Sequence, residues 1–185
     1  MSFFWSVVSW GILVIVIIYV VKIYNNLVIL KNNLNKSWAN IDVLLKQRYD
    51  EIPKLVKTVK GYMKYEQATI VAVIKARGVC LKAGSIDERG EAENALSGAL
   101  GKLFALSEKY PELKANENFA HLQDRITQIE NQIADRREFY NDTVNIYNIK
   151  IHQLPEALLA SFLGYRDADM FKISSRERRD IDIDL

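Results

Sequence analysis

The chain opens on a run of apolar positions that no charge interrupts. Phe3-Phe4-Trp5, Val7-Val8 and Ile12 to Val21 are separated only by serines, Trp10 and Gly11, and the first charged side chain is Lys22. Twenty-one residues of α-helix span about 31 Å, close to the thickness of a bilayer's hydrocarbon core. A cleaved secretory signal would need a basic start and a small-residue cleavage site after the apolar run; this stretch has neither. Residues 1–24 therefore read as a transmembrane anchor. Trp5, Trp10, Tyr19 and Tyr24 are candidate interfacial aromatics, although Trp10 lies deep for that role.

Beyond the anchor the pattern changes to one of apolar residues at steps of three and four, the period of an amphipathic helix. A first stripe runs Leu27, Leu30, Leu34, Trp38, Ile41 and Leu45. A second runs Leu55/Val56, Val59, Tyr62/Met63, Ile70, Val73 and Ile74, and a third Ala92, Leu96, Ala99/Leu100, Leu103 and Leu106. The fourth is the longest: Phe119, Leu122, Ile126, Ile129, Ile133, Tyr140, Val144, Tyr147, Ile151 and Leu154. Two-residue alternation is sustained only at Ile181 to Leu185, so the expected fold class is all-α.

Breaks separate the stripes. Gly78 to Gly84 with Ser85 divides the second from the third, with Asp87 as candidate N-cap; Tyr110-Pro111 ends the third, and Asn116 or Asn118 caps the fourth. The first break is ambiguous, because the stripe can be counted straight through Pro53. One reading is a single helix kinked at the proline. The other makes Asp50 an N-cap and puts Pro53 in a first turn, where N–H groups lack partners anyway. An unbroken helix from Lys22 to Arg77 would run about 84 Å without a partner of matching length, which favours the broken form. The expected architecture is then an antiparallel up-and-down four-helix bundle with coiled-coil-like packing, spanning residues 25–164. A short apolar helix closes it between Pro155 and Gly164, residues suited to a helix start and stop. Residues 165–185, with Arg176, Arg178, Arg179 and the alternating Asp180 to Leu185, are expected to form a flexible tail.

Composition removes several classes of function. Among 185 residues, 8 Gly and 3 Pro leave little punctuation for a many-stranded fold. One cysteine, Cys80, excludes an intrachain disulfide and a Cys-based zinc site. A net charge of +2 gives no electrostatic footprint for nucleic acid. A di-metal bundle site would need paired Glu-x-x-His signatures, and neither His121 nor His152 has a Glu three residues before it. Phosphate loops, nucleophile elbows and Cys/His pairs are missing too, so no enzyme activity, cofactor, metal or nucleic-acid partner is expected.

Charge does enter the stripes. Arg48, Glu66, Arg77 and Arg136 fall at core spacing, and Asp42 neighbours Ile41. Charges enter a bundle core only in pairs, so these five are a candidate buried polar network. The alternative leaves them at the core edge, snorkelling to water, the commoner fate of long charged side chains. In the short C-terminal helix Leu158, Leu159, Phe162 and Leu163 crowd more apolar surface into nine positions than one core stripe needs. They are candidate contacts with lipid or a membrane partner, or else a cap on the bundle.

Several longer runs are recognisable. Trp38-Ala39-Asn40-Ile41-Asp42-Val43 and Arg48-Tyr49-Asp50-Glu51-Ile52-Pro53-Lys54-Leu55-Val56-Lys57-Thr58-Val59-Lys60-Gly61-Tyr62 resemble the signature of the LemA family. So do Tyr110 to Asn116, Leu122-Gln123, Glu130 to Ala134, Tyr140-Asn141 and Tyr147-Asn148, in the family's order and spacing. The resemblance covers about Leu27 to Tyr165. It implies a bacterial, single-span membrane protein with a helical bundle and no established biochemical activity. Family members resemble accessory or scaffold proteins, some encoded beside membrane zinc proteases and some linked to membrane-organelle biogenesis. One departure is that the family often carries His-Glu after Gly-Tyr, where this chain has Tyr65-Glu66. A role carried by that histidine does not transfer, although Glu66 matches.

Lys22, Lys31 and Lys36 follow the anchor with no acid before Asp42, so the positive-inside rule leaves the N-terminus outside and the body in the cytoplasm. The expectation is a membrane-anchored helical adaptor or scaffold of the bacterial cytoplasmic membrane. Its partners are the bilayer through residues 1–24 and a protein in the membrane, with self-association open. The alternative is an accessory subunit of a membrane-embedded zinc protease.

Overall fold

The structure, a computed structural model, describes residues 1–171. It is all-helical: α1 covers Ser2–Lys60, α2 Gln67–Cys80, α3 Ile86–Ser107, α4 Pro111–Lys114, α5 Glu117–His152 and α6 Glu156–Phe162. Among the described residues there is no strand; the alternating Asp180 to Leu185 and the three arginines before it lie outside them. The chain divides into two compact units. One comprises Met1–Trp38 with Asp142–Ala168, the other Ala39–Asn141 with Asp169–Leu185, of which 169–171 are described.

The larger unit holds most of the core. Ile41, Leu45, Ile52, Leu55 and Val59 from α1 are buried, as are Ile70 and Val73 from α2, Leu96, Leu100 and Leu103 from α3, and Phe119, Ile126, Ile129 and Ile133 from α5. All but Ile52 are positions on the four stripes, and each large apolar side chain removed from water contributes about 1.5–3 kcal/mol. The expectation of a break at Asp50 is overturned: α1 runs through Pro53 to Lys60. Proline has no N–H, so the carbonyl of Tyr49, four residues earlier, loses its place in the helical ladder. Arg77 of α2 repairs the loss, donating from Nε to the Tyr49 carbonyl at 2.9 Å. The chain turns instead at Gly61, where the N–H groups of Tyr62 and Met63 both reach back to the Val59 carbonyl.

Local signals set the remaining boundaries. Ser85, not Asp87, caps α3. Its hydroxyl accepts from the Glu88 N–H at 3.2 Å while the Glu88 carboxylate accepts from the Ser85 N–H at 3.3 Å, a capping box. The N–H groups of Gly84 and Ser85 hold the Glu88 carboxyl below its ordinary pKa. Pro111 starts the single turn of α4, and Asn116 caps α5 by accepting from the Phe119 N–H at 3.0 Å.

The smaller unit contains the first part of α1, the end of α5, and α6. Its core is Ile23, Leu27, Tyr147, Ile151 and Ala160, with Leu30, Leu34, Leu159 and Tyr165 packed against it. Every side chain described from Phe3 to Val21 is exposed. The fourth stripe stops short of its expected end: α5 finishes at His152 and Leu154 points to solvent. After α6, Gly164 adopts a φ of +71°, which a side chain would disfavour. That turn lets the Gly164 N–H reach Ser161 and the Tyr165 N–H reach Ala160, a Schellman close.

Candidate functional site

Arg48 is the one residue of the expected network that the fold buries in a charge cluster. Its side chain is 1% exposed and pairs with Glu93 of α3, which is 0% exposed, and with Glu130 of α5 at 2.5 Å. Arg48 Nη1 also donates to the Ser97 hydroxyl at 3.0 Å, and Ser97 donates to Glu130 at 3.1 Å. The Tyr49 hydroxyl donates to the other oxygen of Glu93. A lone buried guanidinium would be costly; here two carboxylates and two hydroxyls share its desolvation and tie α1, α3 and α5 together. Burial, first of all, pushes the Tyr49 hydroxyl up to about 12, and it raises the Cys80 thiol beside it.

The other four residues go elsewhere, which corrects the idea of a single network. Asp42 is exposed and pairs with Arg89 at 2.5 Å. Glu66 accepts from the Tyr110 hydroxyl at 3.2 Å, Arg77 serves the Tyr49 carbonyl, and Arg136 is exposed beside Asn40, Gln132 and Asp135. Long side chains at core spacing reached water or a backbone group first. Glu93 and Glu130, the true partners, went unread. Glu93 does head the third stripe at the right spacing, with Leu96, Leu100, Leu103 and Ser107 following in steps of three and four. Among the described residues, no group of three or more His, Cys, Asp and Glu side chains could hold a metal ion.

The two Tyr-Asn pairs of α5 each hold backbone that was expected to be flexible. In the smaller unit, Asn148 clamps Ala168, donating to its carbonyl at 3.0 Å and accepting from its N–H at 2.9 Å, while the Tyr147 hydroxyl donates to the Arg166 carbonyl at 3.0 Å. In the larger unit, Asn141 does the same to Phe171 at 3.0 and 2.7 Å, and Tyr140 donates to the Asp169 carbonyl at 3.0 Å. Residues 165–171 are therefore a strap and not a loose tail. Both pairs sit seven residues apart on α5 while their partners sit three apart. Phe171 is buried against the Arg137 guanidinium, 4.4 Å from the ring centre. Tyr165 packs under Lys31 in the smaller unit, and burial, with Asp169 second, pushes the Tyr140 hydroxyl up to about 12. The repeat was visible as a motif, but its target was not.

The candidate contact residues of α6 divide. Leu158 is 71% exposed and Phe162 86%, with Leu163 also exposed, whereas Leu159 turns inward onto the Ile23–Leu27 core. Glu156 is held by Lys150 at 2.8 Å, which keeps its carboxyl below the ordinary range.

An all-helical chain whose first helix opens on the exposed apolar run Phe3 to Val21, long enough to cross a bilayer, belongs to the class of membrane-associated proteins. The family model for the LemA family matches residues 37–185, and the chain belongs to that family. It is 26% identical to Protein LemA of Metamycoplasma hominis, over 82% of this chain and 70% of that protein. It is also 24% identical to Magnetosome protein MamQ 2 of Paramagnetospirillum magneticum and, again at 24%, to Magnetosome protein MamQ of Magnetospirillum gryphiswaldense. Each of these matches covers 80% of this chain, which spans 64% of the length of those magnetosome proteins.

Proposed function

We propose that the protein is a membrane-anchored helical adaptor of the bacterial cytoplasmic membrane, holding a rigid body beside the bilayer for other envelope proteins to bind. The observation that carries this reading is the exposed apolar run Phe3 to Val21 on a chain whose buried Arg48 and Glu93 are paired with each other. Arg48 pairs with Glu93 and Glu130, so the chemistry of this cluster supports a fixed shape. On this reading α1, α2, α3 and α5 form an up-and-down four-helix bundle, and the body lies in the cytoplasm, the side that Lys22, Lys31 and Lys36 favour. The magnetosome names of two relatives add weight to a role in membrane organisation.

Crosslinking the full chain in native membranes, followed by identification of the captured proteins, tests the reading. Reproducible capture of envelope proteins is expected. Capture of a membrane-embedded zinc protease alone would narrow the role to an accessory subunit, and a chain that crosslinks to nothing would overturn it. A phosphatase fused at Leu185, active only in the periplasm, should stay inactive; activity there would reverse the orientation.

A further inference from the structure

We propose that α6 lies in the headgroup zone of the bilayer that the first part of α1 crosses, with Leu154, Leu158 and Phe162 in contact with lipid. The inference rests on the membrane-anchored reading and adds a second, peripheral contact to it. Leu158 and Phe162 are four residues apart and so share one face of α6, and both are mostly exposed, as is Leu154 just before the helix. On its other face α6 is docked. Ala160 belongs to the buried cluster of Ile23, Leu27, Tyr147 and Ile151 and Leu159 packs against it, while Glu156, the only charged residue from Leu154 to Gly164, is turned in and paired with Lys150.

The docking fixes the depth. Ile23 and Leu27 come two and six residues after Val21, where the uncharged run ends, so their rise beyond the hydrocarbon core is about 3 and 9 Å. The headgroup zone on each side of a bilayer is about 5–8 Å deep. A short helix packed at that level, with its charge satisfied inward and its large apolar side chains outward, has the form of an interfacial helix. At that depth the medium beside the exposed face is the headgroup zone and upper acyl chains, which argues for lipid as the occupant ahead of a second copy of the chain or another protein.

The test uses the full chain, with Cys80→Ala removing the native thiol, reconstituted in phosphatidylcholine–phosphatidylglycerol vesicles. A spin label is placed at Leu158→Cys or Phe162→Cys, and collisions with oxygen and with a water-soluble nickel chelate are measured. Val16→Cys serves as the lipid reference and Tyr65→Cys, at a site 95% exposed in the larger unit, as the aqueous one. The expected result is loss of nickel access and gain of oxygen access at 158 and 162, relative to Tyr65→Cys. Nickel access equal to that of Tyr65→Cys would overturn the proposal, and shielding from both reagents would assign the face to protein instead of lipid and overturn it equally. If Val16→Cys is itself open to nickel, the anchored reading fails and this one with it. If Val16→Cys is in lipid while 158 and 162 are aqueous, only the placement of α6 falls. Unchanged thermal midpoints of the labelled chains show that the fold is intact.

Discussion

The two units break the ordinary partition of residues in opposite ways. The smaller one shows apolar side chains where water would be, from Phe3 to Val21 and again at Leu158 and Phe162, around a core of five buried residues. The larger one buries charge where oil would be, at Arg48 and Glu93, inside a dense packing of Leu, Ile and Val. Each anomaly has its own resolution. Exposed apolar surface is stable when the surrounding solvent is lipid, and buried charge is stable when its partner is buried beside it. The difference teaches that stability in the larger unit is internal and can be measured by mutation, whereas the smaller unit depends on its surroundings.

The comparison breaks most sharply at Glu93. Glu93→Ala leaves Arg48 buried without its main partner and should destabilise the larger unit by about 3–5 kcal/mol, read as a fall in the denaturant midpoint of the full chain in detergent. Replacing Arg48 with Met and Glu93 with Leu together should recover most of that loss. Equal damage from the double change would mean that packing, not charge, holds the site.

Truncating the apolar core comes next. Leu45→Ala, Leu103→Ala and Ile129→Ala should each cost about 2–5 kcal/mol, since all three are essentially inaccessible, and Val59→Ala rather less. Three silent substitutions in the same melts would place the core elsewhere.

Alkaline pH should also act on the larger unit. Tyr49 and Tyr140 ionise near 12 when folded and near 10 when unfolded, so the fold favours their neutral forms. That contribution is complete below about pH 10 and is lost as the pH rises through about 12. The two tyrosines together should account for about 2–4 kcal/mol after solvent screening, and Tyr140→Phe should remove part of the slope of midpoint against pH.

The Asn clamps sharpen the division itself. Asn148→Ala should weaken protection of the Ala168 amide, and Asn141→Ala that of Phe171, by about 1–3 kcal/mol each in hydrogen exchange. An equal response of both amides to either change would make the two units one cooperative block. The smallest effect is expected at the exposed Asp42–Arg89 pair, where Asp42→Asn should cost under about 1 kcal/mol and vanish in high salt.

Period and punctuation in the sequence were enough for the helical class, the apolar run that ends at Lys22, most of the stripe positions that became the core, the caps at Asn116 and Gly164, and the family. Those features are local, or repeat at the helix's own spacing, so a reading of neighbours three and four apart recovers them. The course of the chain at Pro53 was of another kind. A proline tells which hydrogen bond is lost, but only the arrival of Arg77 from a helix 28 residues away decides that the helix continues. Partners for Arg48 were hidden in the same way. Three other charges, Glu66, Arg77 and Arg136, shared its apparent spacing, and a side chain long enough to reach water needs no partner unless the fold closes over it. The strap was hidden too: Tyr-Asn repeated at seven residues marks two backbone clamps, yet the segment that satisfies them carries no pattern of its own. Side chains specify what they can bond to, and only packing at long sequence separation chooses among the candidates.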